Sequence, residues 1–285
     1  MSSEVQMYPF IMDHLPEEYC LVAQVQLKET PEKRTKFIDE LATMAKANKI
    51  LSGIDFHPDF LLQFLRVSKF NIEVAFARLY KFIYFRKKNP SFFKGVEDSK
   101  MNSSPSYRVV SPLPYRNPEG CAISIIKLGQ WDSNEMTYKE LISIVYMVLQ
   151  QALRDPMTQI NGIKLIIDFE NVTYSYLKFC TPKHLYQIVQ LFLECSPSRF
   201  KQFHCVNGNM VMKMGWAVLQ SFMSEKLKKR VFFHDQMHDL LCFIPKRNLP
   251  KEYGGVIEEP YLEEWLKEAN IQMNMCTISG QPNFY

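Results

Sequence analysis

The stretch Asn161-Gly-Ile-Lys-Leu-Ile-Ile-Asp168 decides the reading of this 285-residue chain. Its apolar run is short and reads as a strand buried within a sheet. Outward from it, strands and helices alternate. Upstream, 107–110 and 121–127 read as strands, separated by a segment (111–120) rich in Pro, Asn and Gly. Thr137 then opens a helix to about Ala152. Downstream, Thr181-Pro182 opens a helix to about Glu194, with Pro in its first turn. Residues 203–206 are a strand, a helical stretch follows, and 230–234 is the last strand. This alternation predicts an α/β fold with a mixed, mostly parallel sheet flanked by helices.

The first part of the chain has a different period. Residues 17 to about 90 read as helical. Phe37, Ile38, Leu41, Met44 and Ala45 form one apolar face, and Phe60, Leu61, Phe64 and Leu65 follow Pro58 in another. Asn71 is placed to cap a helix that buries Ile72, Ala75, Phe76, Leu79, Phe82 and Ile83. Arg86, Lys87 and Lys88 suit its last turn, and Asn89-Pro90 ends it. The expected organisation is a helical domain (17–96), a polar linker (97–106), an α/β domain (107–258), and a C-terminal helix and tail (259–285), with the helix running from about 260 to 270.

Composition bounds the function. A net charge of +4 is too small to imply nucleic acid. The 21 Phe, 14 Tyr and 3 Trp suit either a bulky core or a large apolar interior. Seven cysteines without a C-x-x-C fit free thiols in a reducing compartment. The start lacks a signal-peptide pattern, the end carries no lipidation box, and the apolar stretch 141–149 is about half a membrane span. The expectation is a cytoplasmic monomer that touches membranes transiently from outside. No G-x-S-x-G, P-loop or H-E-x-x-H occurs, so no enzyme, metal or cofactor is expected. His234 and His238 have a metal-like interval, but 231–233 reads as strand, so they need not converge. Asp168 and Glu170 suit an acid–base pair or strand-end hydrogen bonding. Cys205 and His204 are neighbours on one strand and cannot face the same way.

Four segments, in order, resemble the Sec14-like (CRAL-TRIO) family, and within it the tocopherol-transfer and retinaldehyde-binding branch. They are Asp59-Phe-Leu-Leu-Gln-Phe-Leu-Arg-Val-Ser-Lys-Phe-Asn-Ile-Glu-Val-Ala-Phe76, running on to Phe85-Arg-Lys-Lys-Asn-Pro90; the strand quoted above; Leu227-Lys-Lys-Arg-Val-Phe-Phe-His234; and Leu249-Pro-Lys-Glu-Tyr-Gly-Gly255. The resemblance implies an N-terminal helical bundle and a sheet that, with helices, encloses an apolar cavity closed by a mobile helix. It implies binding of a tocopherol- or retinoid-like lipid, the only ligand expected, and its transfer between membranes. The alternative is a lipid-sensing regulatory module whose output is a protein partner.

On that resemblance the pocket walls are Ile125, Tyr146, Leu149, Leu165, Ile167, Phe169 and Leu191, together with the gate at about 209–227. Met210, Met214, Val218 and Phe222 form the gate's apolar stripe, with Val211, Leu219 and Met223 beside it, and methionine suits a lid that must adapt. Gly208 and Gly215 are candidate hinges. The resemblance also implies a basic cleft for the phosphatidylinositol bisphosphate headgroup at Arg199, Lys226 and Arg230, with Lys201 and Lys229 nearby. If the gate helix continues, Lys226, Lys229 and Arg230 share a face. A further family arginine falls on Ser68, beside Lys69. Two departures stand at the gate's hinge. Asn171 follows Asp168-Phe-Glu170 where the family often has Gly, and Asn207-Gly-Asn209 replaces Asn-x-Pro.

Overall fold

Strand order fixes where a hollow can form. In the computed structural model, which describes residues 15–97, 100, 104–258 and 263–278, five strands make one sheet in the order β1 (Val110–Pro112), β2 (Ala122–Lys127), β3 (Ile163–Asp168), β4 (Phe200–Val206) and β5 (Val231–Phe233). β1 is antiparallel to β2, and the other pairs are parallel. Parallel neighbours in sequence order, joined by right-handed crossovers, send every connecting helix to the same side of the sheet. The other face is closed by the irregular segment after β5, where Leu240, Ile244, Leu249 and Tyr253 pack on Ile123, Ile125, Ile166 and Val206.

The expected strand at 163–168 forms over those residues. The one expected at 107–110 does not. Pro105–Arg108 is a 3-10 turn capped by Ser104, and pairing begins only at Val110. The crossover from β2 carries α5 (Tyr138–Ala152), which Thr137 and Glu140 start with a reciprocal capping box, and α6 (Pro156–Asn161). The next carries α7 (Pro182–Ile188), which widens into a π-helical segment, Val189–Cys195. The last carries α8 (Met210–Leu219), then a 3-10 turn and the single-turn α9 (Glu225–Lys228). The segment expected to form the gate therefore breaks at 220–224 and is not one helix to 227.

The first four helices are α1 (Glu17–Leu27), α2 (Pro31–Ala47), α3 (Pro58–Val67) and α4 (Ile72–Lys88). Asn71 caps α4 by accepting from Val74 N at 3.0 Å. Phe60, Phe64 and Phe82 interlock with centroids 5.1–6.0 Å apart, and Phe93 extends the cluster to Tyr146 on α5. Buried Arg66 donates to Glu29 at 2.8 and 2.9 Å and to Gln159 at 2.6 Å, pinning α3 to α6. α10 (Glu263–Ile278) is longer than the expected 260–270 helix and buries Trp265 and Leu266 in the same core. Residues 98–99 and 101–103 of the expected linker, 259–262 at the start of the expected C-terminal helix, and 279–285 of the tail lie outside the described residues.

On the face of β4 away from the connecting helices, His204 is fully buried with its Nδ1 2.9 Å from Nε2 of His234. Phe243 packs against both rings, Phe232 stacks on His204, and Lys164 reaches the Phe243 carbonyl at 3.3 Å. Burial, then His234 and Lys164, pull His204 down to about 3, and burial lowers His234. Both histidines are thus neutral in the fold, while the unfolded chain takes up their protons below about pH 6.5. Their contribution is complete above that pH and is lost as pH falls from 6.5 towards 3. The melting temperature is expected to fall between pH 7 and 5, above the main carboxylate range. His204→Phe combined with His234→Phe should flatten that slope. A wild-type profile already flat in that window contradicts the assignment.

Candidate functional site

Two rows of side chains cross the sheet on the helix-covered face. Register aligns Ser124, Leu165, Phe203 and Val231 in one row, and Ile126, Ile167, Cys205 and Phe233 in the next. All eight line a cavity of about 320 Å³. Leu165 and Ile167 sit mid-strand in the central strand yet are only half-buried, whereas Ile163 and Ile166 are fully buried. Their open surface faces the hollow.

The opposite wall is built at helical spacing. α5 contributes Leu141, Ile142, Val145, Val148, Leu149 and Ala152, at offsets of 0, 1, 4, 7, 8 and 11. α7 and the π segment add Leu185, Ile188, Val189, Phe192 and Leu193. The wider π turn ends against Arg78 of α4, whose Nη1 donates to the Ser196 and Leu193 carbonyls at 2.6 and 3.3 Å. Val172, Tyr176, Phe179 and Cys180 close one end.

α8 lies over the remaining opening. Val211, Met212, Gly215, Trp216 and Leu219 face inward, followed by Met223. Met210 and Met214 face outward, 52% and 46% exposed. Two ring contacts hold this lid: Trp216 against Phe233 at 5.3 Å and Phe222 against Tyr186 at 5.4 Å. Its N-terminal end is anchored to the strand ends. Asn209 caps α8 through Met212 N at 3.1 Å and donates to the Val172 and Phe169 carbonyls at 2.8 and 3.3 Å. Asn207 donates to Asp168 at 2.8 Å, and Tyr253 donates to its other oxygen at 2.6 Å. Burial and then Asp168 raise the Tyr253 phenol, so it stays protonated as the donor. Asn207 and Asn171 adopt φ of 52° and 60°, a left-handed conformation that asparagine tolerates where glycine is the usual solution.

Positive charge gathers where β4 and β5 begin. Arg199 donates to the Ile160 carbonyl, and Arg230 to the Phe200 carbonyl at 2.5 Å. Burial and then Arg230 lower the pKa of Arg199; burial and then Arg199 are the main causes lowering Lys201. The three cations repel one another. Among the described residues none of them forms an ion pair, and the neighbouring Glu119 is paired at 3.2 Å with Lys164. Lys226 and Lys229 are exposed on the turn leading into Arg230, while Lys228 pairs with Glu225 at 2.8 Å.

A model of the CRAL/TRIO domain matches residues 108–255, from just before β1 to the glycines after Tyr253. The chain belongs to the CRAL/TRIO domain family. It is 28% identical over 281 residues to the Mus musculus protein named alpha-tocopherol transfer protein-like, covering 94% of this chain and 82% of that one. It is 26% identical over 248 residues to Rattus norvegicus clavesin-2, covering 86% of this chain and 76% of the relative. The solved structure of Sfh5 superposes with a TM-score of 0.55 at 13% identity, covering 95% of this chain and all of that one; this likeness is one of fold.

Within this CRAL/TRIO fold, Leu149, Leu165, Ile167 and Phe169 line the cavity, as do Val211, Leu219 and Met223 of the expected gate. Six expected wall residues do not. Ile125 points to the opposite face of β2 and packs with Ile123 and Leu249. Tyr146 turns towards the first helices, 4.8 Å from Phe93. Leu191, within the π segment, is turned into the core. Met214 is outward on the lid, Val218 is outside the lining, and Phe222 lies against Tyr186. The expected stripe is thus one residue out of phase: the lid presents 211, 215, 219 and 223 inward, not 210, 214, 218 and 222. Lys226, Lys229 and Arg230 are not on one continuous helix, since α9 ends at Lys228.

Other expected chemistry is placed elsewhere. His238 stands 3.5 Å from Asp239, while His234 pairs with His204. Asp168 is a buried acceptor, with Glu170 exposed beside it. His204 and Cys205 do face opposite ways. Sequence reasoning missed Ser124, Phe203, Trp216, Val231 and Phe233. The alternation of β4 and β5, taken with their register to β3, was the available signal.

Proposed function

We propose that this protein binds one hydrophobic lipid in the cavity and carries it between membranes, docking through the cationic cluster on surfaces that carry phosphoinositide. The observation that carries the reading is a hollow with an apolar wall, closed by a helix that is apolar on both its inner and outer faces, where a folded core would otherwise be packed to crystal-like density. Burying several hundred Å² of lipid against water is favourable by about 25 cal/mol per Å². A bilayer offers nearly the same, so uptake is close to balanced and fit decides retention. The names of the relatives, one a tocopherol-transfer-like protein, agree with a lipid ligand.

The outer face of the lid supplies a route. Met210 and Met214 can enter the apolar edge of a bilayer while the cations meet its headgroups. Opening then requires breaking the Trp216–Phe233 and Phe222–Tyr186 contacts, both at the lid's own edges.

Organic extraction of the purified full chain is expected to yield about one lipid per protein, and the protein should move labelled lipid between vesicles. Met210→Asp with Met214→Asp should slow transfer at least tenfold and leave occupancy in solution unchanged. A chain that carries no lipid and moves none is not a carrier; capture of a protein partner without transfer would favour the sensing module.

A further inference from the structure

The cavity's chemistry narrows the ligand, on the reading that it holds a lipid at all. Among the described residues its wall contains no Asp, Glu, Lys, Arg or His. A phosphate or ammonium headgroup drawn inside would lose its water and meet no counter-charge, which is strongly unfavourable. The volume of about 320 Å³ is also near the lower end of the range of roughly 300–1,000 Å³ for ligand sites. It suits one tail or ring system better than two acyl chains.

Three hydroxyls line this wall, and two are already committed. Tyr138 donates to the His184 carbonyl at 3.0 Å, and Tyr176 to the Trp131 carbonyl at 2.6 Å. The third belongs to Ser124, which is 8% exposed and lies on the cavity face of β2, in register with Leu165 and Pro112. Ser124 is the one wall hydroxyl that makes no hydrogen bond to protein among the described residues. A buried hydroxyl both donates and accepts, and leaving it unmatched is costly. Its row neighbours, Leu165, Phe203 and Val231, offer it nothing polar.

We infer that the cavity selects an uncharged lipid with a single small polar group, a hydroxyl or carbonyl, that hydrogen-bonds Ser124 Oγ. Its hydrocarbon body runs across the sheet beneath Trp216 and Leu219. Phospholipid headgroups stay outside, at Arg199, Lys201 and Arg230.

The test compares three probes on the full-length protein: a short-chain polyprenyl alcohol, the hydrocarbon of the same skeleton, and a labelled phosphatidylcholine. Binding is followed by quenching of tryptophan emission, since Trp131 and Trp216 both line the cavity. The wild type should prefer the alcohol to the hydrocarbon by about five- to tenfold, one hydrogen bond's worth. Phosphatidylcholine should not displace the alcohol. Ser124→Ala should erase the preference while binding the hydrocarbon as before, which also reports an intact fold. A preference that survives in Ser124→Ala, or competitive displacement by phosphatidylcholine, overturns the inference and leaves the carrier reading standing. Failure of all three probes overturns both.

Discussion

Leu165→Trp combined with Ile167→Trp is expected to cut bound lipid more than tenfold without lowering the melting temperature. In a packed interior, adding this much side chain costs about 1–3 kcal/mol and forces neighbours off their rotamers. A domain of this size would then melt several degrees lower. Here both residues look into empty space from the middle of the central strand, and their row neighbours Phe203 and Cys205 form the same floor. The added rings fill the hollow and gain dispersion contacts that its lining lacks. Stability therefore holds or rises while capacity is lost. The sign of the melting shift, measured on delipidated protein beside lipid content per chain, separates a hollow from a core. A clear drop in melting temperature would mean that this space is already filled.

How much of this was legible beforehand depends on whether each residue's two sides differ. β3 was readable to its ends because Gly162 and Asp168 bound an apolar run. β2 was not readable in phase. Its two faces are both covered, one by the cavity helices and one by Leu249 and Tyr253, so Ile123, Ile125 and Ile126 are all apolar and alternation is silent. That is why Ile125 was placed on the wrong side and Ser124 passed unnoticed. α8 poses the same problem, since Met210-Val-Met-Lys-Met-Gly-Trp-Ala-Val-Leu219 is apolar almost all round, having to face both the hollow and the outside. Its phase comes from Asn209, which fixes the first turn through the Phe169 and Val172 carbonyls. Leu191 fell out of phase for another reason: the π segment inserts a wider turn after Ile188, which a period of 3.6 cannot anticipate. The positively charged cluster was legible as residue types but not as a site, because Arg199 and Arg230 are 31 residues apart and are neighbours only through the pairing of β4 with β5.

Lys201→Gln, Lys226→Gln and Lys229→Gln together are expected to weaken docking on phosphoinositide vesicles by roughly a hundredfold. Each lysine near an anionic surface contributes about 1 kcal/mol, and about 3 kcal/mol corresponds to a little over two decades. These three are the right choice because, among the described residues, no side-chain hydrogen bond or ion pair holds them, so their loss leaves the fold alone. Arg199 and Arg230 differ, since each supports a backbone carbonyl at the edge of the sheet. Replacing them would mix docking with stability. Their contribution is better read by Arg199→Lys with Arg230→Lys, which keeps the charge and removes the planar fork that grips phosphate in two places. Binding to phosphatidylserine vesicles of equal charge should then persist while the preference for phosphoinositide disappears. Docking of the wild type should fall steeply with salt, and that of the triple lysine variant, which keeps Arg199 and Arg230, should fall less steeply. Lipid retained in solution is expected to be unaffected in every case, because the lysines and arginines lie outside the apolar wall. Flotation with vesicles at two ionic strengths measures all of this. If the triple variant floats as well as the wild type, these three lysines do not carry the docking.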